Sequence, residues 1–414
     1  DGRIDRAVLK YVDPDAGRKE LRLQRGDVIF NNTNSPELVG KTALFEDEDA
    51  PAFSNHMTRL RVDSSRLHAG YLALRLHQAW REGWFAAHCN NHVSQASISR
   101  DILASFEFEL PPLEVQREIA HLSRAVEDCR ISSLAHLGTA RKIIERFRDS
   151  VFAAASSGRL TQDFRESQSK HETVTELLEA IRVASRNSQR PIDPEIIEAP
   201  DGSDTPSTWT WATFGSVISE LRNGVPVAPA MEPPGIPILR ISAVRRGSAD
   251  LTDLRFLRDD IQEWASFALR DGDLLFTRYN RSISLLGVCG LVRNLQGRTI
   301  VYPDKLMRIR FDHEFILPEY VEIFFASPAA RSRMTARSVS SAGQQGISGA
   351  TVKAQALAIP PLEEQREIAR RATGLLRAAQ LVECQLVETS SHLDETPRAF
   401  HAKAFRGELI GDPA

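Results

Sequence analysis

The chain has 414 residues, 42% of them hydrophobic, and a formal net charge of −3. That length suits two or three domains, each large enough for its own core, and the near-neutral charge excludes a chain drawn wholesale to nucleic acid. No apolar run approaches the roughly 18 residues of a membrane span, and the four cysteines (Cys89, Cys129, Cys289, Cys384) show no Cys-x-x-Cys spacing, which argues against a disulfide framework or a zinc site.

In chain order, residues 1–110 mix short strand-like runs with turn residues. Asp27–Phe30 and Arg59–Val62 read as strands, and residues 69–86 read as helix. Asn31–Pro36 between the strands reads as a polar loop. The decapeptide PPLEVQREIA then opens a long helix at Pro111–Ala120, expected to run from Pro112 to about Ala155. Residues 161–206 read as a linker with one short helix, Val174–Ala184, before a Pro- and Asp-rich stretch. Residues 207–359 repeat the mixed pattern, with strands at Ile238–Ile241 and Asp273–Phe276 and a helix over Pro318–Ala336. PPLEEQREIA at Pro360–Ala369 opens a second long helix, expected to kink or end at Pro397.

The two decapeptides agree at nine of ten positions and stand 249 residues apart. The same offset recovers Tyr71 with Tyr320, Ile98-Ser99 with Ile347-Ser348, and Gly158 with Gly407, the last pair placed as helix terminators. A period this long means two domain-sized units. The second unit begins about forty residues before the point that matches Asp1, so the first is expected to lack its front piece, as in a shortened version of a longer protein.

Each long helix carries a heptad-like stripe. In the first it is Leu137, Ala140, Ile144, Phe147 and Val151; in the second, Ile368, Ala372, Leu375, Ala379, Val382, Leu386, Thr389 and Leu393. Such stripes are buried by packing on each other or on a partner, so the pair reads as a coiled coil that could space the mixed domains.

The chemistry inventory lacks a phosphate-binding Gly-rich loop, a dinucleotide fingerprint and a metalloprotease motif. Pro303-Asp304-Lys305 only faintly resembles a nuclease metal site, and no metal or catalytic residue is assigned. The positive signal is polar and basic side chains in loops. In unit one these are Asn31, Asn32, Asn34, Asn90, Asn91, His92 and Gln95. In unit two they are Arg278, Tyr279, Asn280, Arg281, Arg331, Arg333, Arg337, Gln344 and Gln345. Arg and Asn or Gln carry the paired donors and acceptors that fit guanine and adenine edges, although solvated loops use the same residues.

The doubled Pro-Pro-Leu-Glu-x-Gln-Arg-Glu-Ile block heading a long helix resembles the specificity subunit of type I restriction-modification enzymes. So do the closing Ala402–Leu409 and the Trp209-Thr210-Trp211 opening of the second unit. The first copy departs from the pattern in ending Ala155-Ser156-Ser157-Gly158-Arg159-Leu160.

The resemblance implies an α+β chain with two target-recognition domains (1–110 and 207–359). Two long helices (111–160 and 360–410), packed as an antiparallel coiled coil, would separate them. It implies a non-catalytic, cytoplasmic subunit that reads a bipartite double-stranded DNA target. Two copies of an adenine methyltransferase subunit and an ATP-driven restriction subunit would be its partners, with S-adenosylmethionine, ATP and Mg held in those partners. The alternative is a coiled-coil scaffold that binds protein and touches no DNA.

Overall fold

The computed structural model describes the chain apart from residues 1, 5, 9–21, 50, 92–94, 169–175, 177–178, 180–181, 184–192, 259–260, 312–314, 337, 342–343 and 409–414. The chain divides into two compact units, Asp1–Thr139 with Gln385–Ala414, and Ala140–Cys384. Each long helix therefore contributes to both. No helix among the described residues is long and apolar enough to cross a membrane.

In the first unit the central strand Val28–Asn31 pairs antiparallel with Thr42–Leu44 on one side and Met57–Leu60 on the other. Helices Ala69–Arg81 and Trp84–His88 cover this sheet. Gly83 interrupts what the sequence suggested as one helix, in left-handed backbone. Phe30 and Phe85 meet edge to face at 4.9 Å inside the core.

The second unit repeats the plan. Leu274–Thr277 lies between Cys289–Leu291 and Leu306–Arg310, and Glu220–Asn223 adds a fourth strand beyond Leu306–Arg310. The helix expected over 318–336 is two, Pro318–Ala326 and Pro328–Ala336, because Pro328 has no amide hydrogen to continue the ladder. Thr210–Thr213 pairs with Ala356–Ile359, and Phe214, Phe276, Phe324 and Phe325 form the centre of the core.

The repeat extends to side-chain bonds. Asp27 accepts from Arg61 Nε and Nη2 at 2.7 and 2.9 Å and from the Gln24 amide at 2.8 Å. Asp273 accepts from Arg310 Nε and Nη2 at 2.7 and 3.1 Å and from the Arg270 amide at 2.8 Å. Tyr71 Oη donates to Glu109 O at 2.9 Å, and Tyr320 Oη to Ala358 O at 2.7 Å. The glutamine of each decapeptide is buried and clamps the chain in front of its helix. Gln116 accepts from the His68 amide and donates to the carbonyls of Arg66 and Pro111. Gln365 accepts from the Leu317 amide and donates to the carbonyls of Phe315 and Pro360. Full satisfaction of a buried amide at both places explains why the motif holds its glutamine in both copies.

The long helices span Leu113–Ser156 and Leu362–Ala404, 44 and 43 residues. Gly158 and Gly407 follow them with φ of 75° and 72°, the left-handed conformation that ends a helix without a Cβ clash. The helices run antiparallel within each unit. In the first, Ser123 meets His401 at 2.6 Å and Arg130 meets Asp394 at 2.9 Å. In the second, Arg148 donates to Gln380 at 2.7 Å and pairs with Glu383 at 2.9 Å.

Three expectations are corrected here. The second helix continues through Pro397, because the turn beyond it is held by the Ser123–His401 pair and by Phe400 and Ala404 in a cluster with Tyr71 and Ile119. The heptad stripe is only partly the contact stripe. Val151, Ile368, Ala372 and Ala379 are buried and Leu137, Ile144, Leu386 and Leu393 half-buried, whereas Phe147, Leu375 and Val382 are 40%, 37% and 45% exposed. A 3.6-residue helix drifts off a 3.5-residue repeat, and Leu376 rather than Leu375 packs on the core. Finally, the linker starts with structure: Arg159–Thr161 and Gln162–Ser167 are helical, and Asp163 pairs with Arg371 at 2.6 Å. The helix expected over 174–184 lies largely outside the described residues.

Candidate nucleic-acid interface

Beyond the end of each central strand the chain enters a second, small antiparallel sheet. In unit one, Thr33–Asn34 pairs with Ala96–Ser97, which pairs in turn with Asn90–Asn91. The sequence had suggested a loop at 31–36; a two-residue strand carries too little alternation to be read from composition. In unit two, Tyr279–Asn280 pairs with Gln344–Gly346, and that strand pairs with Val339–Ser341.

Backbone bonds fix the equivalence residue by residue. The Ile98 amide donates to Asn32 O at 2.9 Å as the Ile347 amide donates to Arg278 O at 3.0 Å. The Asn32 amide donates to His56 O at 3.0 Å as the Arg278 amide donates to Lys305 O at 2.8 Å. Beyond each small sheet a serine, Ser99 or Ser348, caps the next helix by accepting from Ile102 or Thr351. Asn32 thus stands where Arg278 stands, Thr33 where Tyr279 does, Asn34 where Asn280 does, and Ala96 where Gln345 does.

The side chains on this common frame differ. Arg278 lies over the Tyr279 ring, 4.7 Å from its centroid, and its Nε is buried without a partner among the described residues. A Cβ at Gly346 would come within 2.7 Å of the Tyr279 ring, so that ring rests directly on backbone. Asn280 Oδ1 accepts from the Ser282 amide at 3.1 Å. Arg281 is exposed, with no partner among the described residues. Gln345 Oε1 accepts from Ser338 Oγ at 3.5 Å.

In unit one, Asn34 Oδ1 accepts from the Ser35 amide at 2.8 Å. Asn31, with its amide turned to suit its neighbours, accepts from Asn34 Nδ2 at 3.0 Å and donates to the carbonyls of Thr33 and His56. Asn32 Nδ2 reaches Asn55 O at 3.5 Å, while its Oδ1 is buried without a partner among the described residues. Asn90 and Gln95 are exposed.

The structure therefore brings Asn31, Asn32, Asn34, Asn90, Asn91 and Gln95 to one small sheet, and Arg278, Tyr279, Asn280, Arg281, Gln344 and Gln345 to the other. The side chains of Asn91 and Gln344 lie outside what is described, as do His92 and Arg337 altogether. Arg331 and Arg333 do not share this placement. They sit on the helix whose Ala330 and Met334 are core residues, and both are half-buried. Arg331 donates to Ser284 O at 3.1 Å, and Arg333 lies 5.8 Å from the Trp211 ring centroid. Burial lowers the pKa of both from the usual arginine value. Arg331 braces the loop after Tyr279–Asn280 from behind.

The sequence reading noticed Pro303-Asp304-Lys305 but did not pair it with the turn that carries His56. The amides of Met57 and Leu306 donate to Ser54 O and Pro303 O, so Ser54–Met57 and Pro303–Leu306 are the same turn in the two units. The 249-residue offset, applied to His56, would have found them. Among the described residues no three His, Cys, Asp or Glu side chains converge as a metal site.

Residues 14–135 match the family model of the type I restriction modification DNA specificity domain. The chain is 32% identical to the type I restriction enzyme EcoKI specificity subunit of Escherichia coli strain K12, across 99% of this chain and 80% of that protein. It is 24% identical, over the same shares, to the StySPI specificity subunit of Salmonella potsdam. A solved structure concerned with complex assembly and conformational transition of the type I R-M system superposes with a TM-score of 0.58 at 18% identity, covering 94% of this chain and 83% of that one. The crystal structure of the HsdS subunit from Thermoanaerobacter tengcongensis gives 0.51 at 18% identity, with 94% and 82% covered.

Proposed function

This chain belongs to the specificity subunits of type I restriction-modification enzymes, and we propose that each of its mixed domains reads one half of a split, asymmetric double-stranded DNA target. The observation that carries this reading is the pair of small sheets: one backbone frame, used twice, with different side chains at equivalent positions. A common frame presents its readers in the same way to DNA, and different readers select different bases. Arg278 and Asn280 in one sheet and Asn32 in the other are of the residue types that suit guanine or adenine edges, while Asn34 holds Asn31 and Ser35.

The chain would supply recognition while its partners supply chemistry. Two methyltransferase subunits would carry S-adenosylmethionine, and a restriction subunit would carry ATP and Mg, all acting in the cytoplasm. The long helices offer these partners apolar side chains that the chain itself leaves open, among them Ile143 at 59%, Leu381 at 62% and Val387 at 53% exposure. At about 1.5 Å per residue such helices extend on the order of 60 Å, enough to set a fixed gap between half-sites.

Single-molecule mapping of adenine methylation tests the reading, in cells expressing the neighbouring methyltransferase with and without this chain. A split motif that depends on the chain is expected. Methylation independent of it, in the presence of a demonstrated complex, would favour the scaffold that touches no DNA.

A further inference from the structure

The turn at Pro303-Asp304-Lys305 is held by backbone bonds to the chain around Val225. The Asp304 amide donates to Val225 O at 2.9 Å, the Leu306 amide to Pro303 O at 2.9 Å, and the Gly224 amide to Leu306 O at 3.1 Å. Val225 and Pro303 form a parallel bridge. From this pinned turn Lys305 is exposed, and its carbonyl accepts the amide of Arg278 at 2.8 Å. The ammonium-bearing residue and the guanidinium-bearing residue are thus tied together through backbone.

The two cations suit different tasks. Arg278 is half-buried and laid on Tyr279, a planar donor group held in one orientation, as base-edge reading requires. Lys305 is a point charge on a flexible, exposed stem, which carries no base information but attracts a phosphate oxygen wherever it lies. We propose that Lys305 is a phosphate anchor beside Arg278 on the second half-site, with His56 in the equivalent position beside Asn32. This rests on the DNA-reading function proposed above. His56 is exposed on the matching turn, and its carbonyl accepts the Asn32 amide at 3.0 Å. The matching turn of the first unit carries no lysine at this place, so the fixed ammonium is particular to the second.

The test is DNA binding by the complex of the full chain with its methyltransferase subunits, from 50 to 200 mM salt. Lys305→Gln is expected to weaken binding and to reduce the log–log salt slope by about 0.9, the share of one phosphate contact, with the methylated motif unchanged. His56→Lys, which puts a fixed ammonium on the matching turn, is expected to steepen the slope. Both are exposed side chains, so neither change disturbs the core. An unchanged slope and affinity in Lys305→Gln, or an altered base preference, overturns the anchor while wild-type binding leaves the DNA-reading function standing. Failure of the wild-type complex to bind DNA overturns both.

Discussion

Where each mixed domain meets the start of a long helix, the two units solve the same problem with one shared and one distinct set of contacts. Gln116 and Gln365 make the same three bonds, and Tyr71 and Tyr320 the same one. The one mismatch between the decapeptides then separates the two ends. Glu364 is buried and accepts from Trp209 Nε1 at 2.9 Å, from Thr161 Oγ1 at 2.7 Å and from Arg165. Its counterpart Val115 packs beside Tyr71, Ile119 and Phe400. The polarity is reversed about two helical turns further on. Ser123 and His401 form a buried polar pair in unit one, and the corresponding Ala372 and Phe152 are both core residues in unit two. Shared contacts fix a common frame; unshared ones give each end its own partner.

That comparison breaks most visibly at Glu364. Glu364→Leu strands the Thr161 hydroxyl, the Trp209 indole and the Arg165 guanidinium, and should cost about 3–4 kcal/mol, since removing one member of a buried ion pair leaves the other uncompensated. Val115→Leu, at the matching place, adds one methylene to a half-buried side chain and should cost at most the lower part of the about 1–3 kcal/mol that overpacking a core costs. Chemical denaturation of the two variants measures the difference, and equal losses would contradict the assignment of Glu364.

The shared contacts should behave alike. Gln365→Ala and Gln116→Ala each leave one amide and two carbonyls without partners, a loss of about 2–3 kcal/mol at about 1 kcal/mol for each bond. Melting each variant tests this; a disparity between them much above 1 kcal/mol would mean that the two clamps are not equivalent.

Acid should separate the units. Burial, reinforced by Arg81, lowers the pKa of His401 to about 4 despite the opposing Glu127, and burial with Arg81 lowers that of His77 to about 3. Both belong to unit one. Below the ordinary histidine value near 6.5 the unfolded chain takes up protons that the folded chain refuses. Stability is therefore lost as pH falls, by about 2 kcal/mol for His401 between pH 7 and 5. His401→Gln should flatten that decline, as read from unfolding free energies at the two pH values. An unchanged decline would show that His401 does not titrate this way.

The frame was legible in the sequence because it is repeated: the decapeptides, Tyr71 with Tyr320, and Gly158 with Gly407 marked the helices and their terminators, while the clamping role of Gln116 and Gln365 depends on contacts about fifty residues away in the chain. Asn32 and Arg278 could be named as candidates from residue type. The repeat also set the Arg278 loop against the Asn32 loop, but the small sheets that carry both could not be read, since their strands are only two or three residues long. Arg331 and Arg333 look like surface residues in a list of basic side chains, but helical spacing with Ala330 and Met334 turns them toward the core. The heptad stripe misplaced Leu375 and Val382 for a related reason. A two-helix contact covers one narrow stripe, and small residues such as Ala372 and Ala379 occupy it.

Methylome sequencing of Arg278→Ala and Asn32→Ala, each expressed with the methyltransferase, tests the central claim most directly. Each change should relax the base preference in one half-site and leave the other half-site and the gap intact, a loss of about 1–3 kcal/mol of discrimination at the affected base. If both variants altered the same half-site, or neither altered any, the two small sheets would not be the separate readers of a split target.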